Sequence, residues 1–165
     1  MKAEKTGMNW AEICADPVLR ELPYKIQTNQ WGHIVMSPAT NEHGMYQAKI
    51  VALLSRLLRT GAIITECSVQ TQVGVKVADV AWASAAFIKR NRGKNPFQEA
   101  PEVCVEILSP SNTEIEMEEK KELYFARGAK EFWICDQNGN ITFHKNTGVI
   151  SNSELAGHFP HQVLI

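Results

Sequence analysis

The sequence predicts one α/β domain, and three observations lead there. Residues 101–135 read as strand, loop, helix and strand in succession. Val103, Cys104, Val105, Ile107 and Leu108 leave neither face of the first of these strands polar, the pattern of a strand covered on both sides. Residues 42–59 carry apolar side chains at helical spacing.

Composition sets the outer limits. The 165 residues are enough for one domain with a real core, and 44% apolar with 21% charged residues is ordinary for a globular chain. A net charge of -1 does not advertise nucleic-acid binding through bulk charge, so any polyanion site must be local. The four cysteines, Cys14, Cys67, Cys104 and Cys135, are widely spaced and three lie in apolar strand-like runs. They are expected to be reduced thiols of a cytoplasmic protein, not a disulfide frame or a zinc site. No apolar run approaches about 18 residues, so no membrane partner is expected, and the first residues lack the apolar core of a signal peptide.

In chain order, residues 10–14 suggest a short helix ending before Pro17. Residues 24–28 and 32–36 form two strands around Asn29-Gln30-Trp31-Gly32, with Ser37-Pro38-Ala39-Thr40 closing that hairpin. Asn41 is the expected N-cap of a helix over residues 42–59. Tyr46, Ile50, Leu53, Leu54 and Leu57 form its apolar stripe, and His43 and Gln47 lie on the same side at its start. Gly61 ends that helix, and strands follow over 62–69 and 73–83. The basic run Lys89-Arg90-Asn91-Arg92-Gly93-Lys94-Asn95 falls in the loop before the next strand, where it could hold phosphates but is more simply a solvated surface. A helix over 114–127, a strand over 131–136, a turn at Gln137-Asn138-Gly139-Asn140 and a returning strand over 141–145 come next. The last fifteen residues are weakly patterned, with a short turn and a final edge strand expected. His158 and His161 are too weak a pattern for a metal site.

Three charges stand where burial makes them costly. Glu106 sits in the two-sided apolar strand, and Asp79 shares a face with Val77 and Ala81 in another run fit for burial. An acid near a strand end can reach water or a hydrogen-bond donor, which is the plain alternative for both. Glu66, with polar neighbours Thr65 and Ser68, is the weaker third acid. Advancing about 100° per residue along the helix after Glu106 clusters Met117, Lys120, Leu123 and Tyr124 on one side and Glu118, Glu119 and Glu122 on the other. Lys120 is then either a snorkelling lysine whose stem covers the core or an ammonium aimed at the strand carrying Glu106. Two acids brought together require a cation between them or a proton on one. Oxygen donors with an incomplete shell suit Mg2+ or Mn2+, and a neighbouring lysine can orient water and stabilise charge on phosphorus. Acids, metal and lysine together are equipment for hydrolysing a phosphodiester.

Several stretches resemble the Uma2 family of endonucleases, within the PD-(D/E)xK nuclease superfamily. They are Ser37-Pro38-Ala39 leading to Glu42-His43-Gly44, then Ala78-Asp79-Val80-Ala81, then Val105-Glu106-Ile107-Leu108-Ser109-Pro110-Ser111, and Lys120 ahead of Tyr124 with Gly128-Ala129-Lys130-Glu131-Phe132-Trp133. The similarity runs from about residue 24 to 145 of a single domain spanning 1–165, leaving 1–23 as an extension. The resemblance implies a restriction-endonuclease-like fold with a mixed central β-sheet flanked by helices, a divalent-metal site and a homodimer. It matches Asp79 to the acid of the first motif and Glu106 to that of the second. Leu108 stands where the superfamily usually has its lysine, and Lys120 matches the lysine that takes its place on the following helix, with Lys121 as the fallback. His43 matches a family histidine and becomes an auxiliary residue. Many members carry Gly-Glu where this chain has Gly32-His33, which leaves no acid there.

The resulting expectation is a Mg2+- or Mn2+-dependent endonuclease acting on nucleic acid, DNA ahead of RNA. Asp79, Glu106 and the carbonyl of Ile107 would hold the metal, Lys120 would be the catalytic lysine, and His43 would assist. Two alternatives accompany it: a non-catalytic nucleic-acid-binding or regulatory protein on the same fold, and a scaffold whose buried ions fix its register.

Overall fold

The computed structural model describes residues 7–165. A six-stranded sheet forms its centre: β3 (Ala62–Thr71), β4 (Gly74–Ala83), β5 (Val103–Ile107), β6 (Glu131–Cys135), β7 (Ile141–Lys145) and β8 (Gly148–Ile150), adjacent in that order. All neighbours are antiparallel except β5 and β6. That parallel pair needs a crossover, which α4 (Glu114–Ala126) supplies. The sheet is therefore mixed, as expected.

Helix α2 (Asn41–Leu57) covers one face. Tyr46, Ile50 and Leu54 pack on Val103, Val105 and Trp133, and the chain's last turn adds Ala156, Phe159 and Val163. Helix α4 covers the other face, where Tyr124 packs with Cys104 and Phe132. Alternation along β5 divides its side chains between the two: Val103, Val105 and Ile107 join the first cluster and Cys104 the second. All five β5 residues are buried, as its apolar pattern predicts. Each large apolar side chain sealed in this way contributes about 1.5–3 kcal/mol.

A separate hairpin, β1 (Tyr24–Thr28) and β2 (Ile34–Pro38), lies against β4. β5 pairs only with Val80–Trp82 of β4, so the earlier half of β4 lacks a partner strand on that side. Side chains of β1 serve it instead: Gln27 Oε1 accepts the Val77 N–H at 3.1 Å and Thr28 Oγ1 accepts that of Val75 at 2.8 Å. Gly74 (φ 96°) makes this docking possible, because a Cβ there would collide with the carbonyl oxygens of Thr28 and Asn29. Before the hairpin, α1 (Trp10–Ala15) carries an N-terminal capping box made by Asn9 and Glu12.

Several local expectations need correction. Thr40, not Asn41, caps α2: its hydroxyl accepts the His43 N–H at 3.1 Å. The helix stops at Leu57, and Gly61 (φ 82°) instead turns the chain into β3. β2 begins two residues later than predicted and includes Ser37 and Pro38. The basic run is not wholly loop, because α3 (Ala85–Asn91) contains Lys89, Arg90 and Asn91. Asn91 is buried there, donating to Phe87 O and Glu99. The last edge strand is β8, ahead of residue 151; the segment after it adds only a bridge from Gln162 to Asn140. All four cysteines are free, with Cys67, Cys104 and Cys135 buried and Cys14 exposed.

Candidate active site

The β4–β5 ladder pairs Trp82 with Val103, Ala81 with Cys104 and Val80 with Val105, and then stops. Asp79 and Glu106 are the next residues in that register. Both are buried, at 1% and 2% exposure, so their charges must be met inside the protein. Asp79 Oδ2 accepts the Ile107 N–H at 2.7 Å, spanning the gap where the strands part.

Helix α4 meets Glu106. Thr113 caps it, and its buried stripe is Met117, Lys120, Leu123 and Tyr124. Lys120 and Tyr124, one turn apart, reach the same carboxylate: Lys120 Nζ donates to Oε2 at 2.9 Å and the Tyr124 hydroxyl to Oε1 at 3.0 Å. Lys120 is 5% exposed and ion-paired, so it is not a snorkelling lysine. Lys121 pairs instead with Glu118 at 2.6 Å, on the outer side of the helix.

The start of α2 meets Asp79. The Thr40 cap sets His43 at the third helical position, with its Nε2 3.3 Å from Asp79 Oδ1. One turn on, the Gln47 amide donates to the Asp79 carbonyl and to Glu66 Oε1, both at 2.8 Å.

Lys25 was not foreseen. Its Nζ lies 2.6 Å from Asp79 Oδ1 and 3.4 Å from Glu106 Oε2, so one ammonium touches both carboxylates. The signal was present in β1, where Lys25 and Gln27 share a strand face. In an isolated hairpin that polar face would look outward; here it faces the unpaired half of β4.

Each charge answers its neighbours. Burial opposes ionisation of Asp79, but Lys25, His43 and the Ile107 N–H outweigh it and hold the carboxyl well below its usual range. Burial likewise opposes charge on Lys25, yet Glu106 and Asp79 raise its pKa above the ordinary 10.5. The hydrogen bond to Asp79 raises the His43 pKa, and burial raises that of Glu66. Burial and then Glu106 push the Tyr124 hydroxyl well up, keeping it a donor.

Lys25, Asp79, Glu106 and Lys120 open into a cavity of about 430 Å³, also lined by Ser37, Ser109, Asn112 and Glu116. Every residue singled out for the site, Asp79, Glu106, Ile107, Lys120 and His43, lines it, as does Glu66. None of the basic residues from Lys89 to Lys94 does. Among the described residues, one group could gather a metal ion from three acid, histidine or cysteine side chains: His43, Glu66 and Asp79, with donor atoms within 4.8 Å of one another. It shares only Asp79 with the set Asp79, Glu106 and Ile107. Carboxylate oxygens and an imidazole nitrogen suit Mn2+, and with added water also Mg2+.

A mixed sheet between two helices, with acids at the point where two central strands part and a lysine from the crossover helix, defines a nuclease-like fold. A crystal structure described as "a putative nuclease belonging to DUF820 from Anabaena variabilis ATCC 29413" shares it: TM-score 0.69, 15% identity, covering 83% of this chain and 86% of that one. The family model Uma2, described as "Putative restriction endonuclease", matches residues 24–154. The chain belongs to the Uma2 family. No curated protein matches it.

Proposed function

We propose that this protein is a divalent-metal-dependent endonuclease that hydrolyses phosphodiester bonds in nucleic acid, DNA in preference to RNA. The observation that carries this reading is the buried pair Asp79 and Glu106 beside Lys120, all lining one open cavity. Asp79 would hold the ion, with Glu66 and His43 as the nearest further donors and Glu106 and the Ile107 carbonyl as the partners suggested by family resemblance. When bound, Mg2+ or Mn2+ acts as a Lewis acid and lowers the pKa of its water. Glu106 and Tyr124 hold Lys120 and its acceptor in place, so the lysine presents a fixed positive charge where phosphate oxygens would lie. Gln47 restrains Glu66 and the Asp79 backbone together. A homodimer, the assembly suggested by family resemblance, is checked by light scattering.

The test is nicking of supercoiled plasmid with Mn2+, Mg2+ or EDTA, using wild type and Lys120→Ala. Metal-dependent nicking that disappears with the substitution is expected. Nicking that survives it removes Lys120 from the mechanism.

One observation favours a second reading. Lys25 and Lys120 together offset the charges of Asp79 and Glu106, as a non-catalytic nucleic-acid-binding or regulatory protein on this fold would require. Such a protein would bind DNA equally well with and without Lys120 and would cleave nothing.

A further inference from the structure

We propose that Lys25 is a built-in counter-ion that keeps the metal position closed: its ammonium bridges Asp79 and Glu106 in the metal-free protein and leaves Asp79 when a divalent cation is seated. This rests on the metal-dependent reading above.

Asp79 and Glu106 face each other where the ladder ends, and two ionised carboxylates there repel. Among the described residues, Lys25 is the one cation in contact with both; Lys120 reaches only Glu106 and His43 only Asp79. Asp79 also belongs to both the Lys25 ion pair and the His43–Glu66–Asp79 group. A doubly charged ion on Asp79 would therefore stand against an ammonium at contact distance, and one of them must move.

The lysine is built to be the one that moves. It reaches the site on a flexible four-carbon stem from β1. The hairpin itself is anchored by Gln27 and Thr28, so withdrawal of the Lys25 ammonium breaks none of those bonds.

Charge gives the exchange a direction. Glu66 and Glu116 line the cavity beside Asp79 and Glu106, so with His43 neutral four carboxylates face the two ammonium groups of Lys25 and Lys120, and ion entry cancels the excess negative charge that would repel the phosphates of a nucleic acid. Metal and polyanion should then favour each other's binding reciprocally.

The test is calorimetric titration of Mn2+ into nucleic-acid-free wild type, Lys25→Met, Lys25→Gln and Lys25→Arg, so no turnover is involved. If Lys25 occupies Asp79 most of the time, removing its charge should tighten Mn2+ binding about tenfold. Both neutral variants should show this, and Lys25→Arg should stay near wild type. Melting in EDTA checks each fold; the neutral variants should melt lower than wild type and recover with Mn2+. If Lys25→Met folds only with Mn2+, the expected exchange is seen in stronger form. If it never folds, Lys25→Gln and Lys25→Arg decide. Wild type that binds Mn2+ beside neutral variants that bind no tighter overturns the role of Lys25 and leaves the metal site standing. Tightening by Lys25→Arg equal to that of the neutral variants overturns it too, since charge would not be the agent. No binding by any of the four proteins overturns the metal-dependent reading, and this inference with it.

Discussion

Glu66 stands directly across the β3–β4 register from Asp79, between the paired positions Thr65–Val80 and Cys67–Ala78, and among the described residues it is the one non-glycine with positive φ, 51°. The ladder skips this pair, and the Asp79 carbonyl accepts the Gln47 amide instead. A left-handed glutamate costs about 1–2 kcal/mol, and strain of this kind collects at functional sites. Here it sets the Glu66 carboxylate beside Asp79 and His43.

Glu66→Gly should therefore separate stability from metal response. Removing the Cβ relieves the strain, so the metal-free protein should gain about 1 kcal/mol, or about 2–4 °C in Tm. The rise of Tm with Mn2+ should shrink, because a donor is gone. Melting curves with and without Mn2+ read both effects, and an unchanged Mn2+ shift would remove Glu66 from the ligand set.

The two donors to Glu106 should differ in weight. Tyr124→Phe leaves one carboxylate oxygen short of a hydrogen bond and should cost about 1–3 kcal/mol. Lys120→Ala removes a buried ion-pair partner and should cost about 3–5 kcal/mol, less whatever Lys25 restores. Urea unfolding of both variants ranks them. A smaller loss for Lys120→Ala would mean that Lys25 alone compensates Glu106.

The pH dependence has a defined sign. Asp79 has a folded pKa below its ordinary 3.8, so its contribution is present above that value and lost as pH falls toward the lower one. His43 has a folded pKa above 6.5, so its contribution is complete below 6.5 and lost as pH rises through the raised value. The Tm difference between wild type and Asp79→Asn should thus narrow as pH falls below 3.8 and again as it rises above 6.5. A difference that stays constant through both ranges would contradict both assignments. NMR titration adds a direct check: the His43 ring should return toward its ordinary value in Asp79→Asn.

Glu131 offers a control outside the cavity. It is buried and accepts Trp133 Nε1, Ser153 Oγ and the N–H groups of Glu154 and Leu155 at 2.7–3.0 Å, which fastens the C-terminal segment to β6. Glu131→Gln turns one acceptor into a donor facing donors and should lower stability by about 1–3 kcal/mol. The Mn2+ shift in Tm should be preserved; its loss would mean that the tail and the cavity are coupled.

What was legible in the sequence was whatever local periodicity encodes. Two-sided apolar character made β5 a central strand, and the same pattern marked Glu106 as an acid out of place. The helical angle put Lys120 on the buried stripe of α4 and His43 with Gln47 on the inner side of α2. Burial has a large energetic cost for charge, so a charge in a buried pattern stands out without coordinates.

What only the tertiary structure decided lies between elements. The register that makes Asp79 and Glu106 consecutive beyond the end of a ladder depends on where two strands part, which neither strand encodes. The strained backbone of Glu66 depends on the pair it skips. Lys25 is the clearest case. By itself β1 is an alternating strand with a polar face, and such a face ordinarily looks to water. It is turned inward because the hairpin docks along the open half of β4, where Gln27 and Thr28 satisfy backbone donors and Lys25 meets two carboxylates. Periodicity tells which side chains share a face; only packing tells what that face meets.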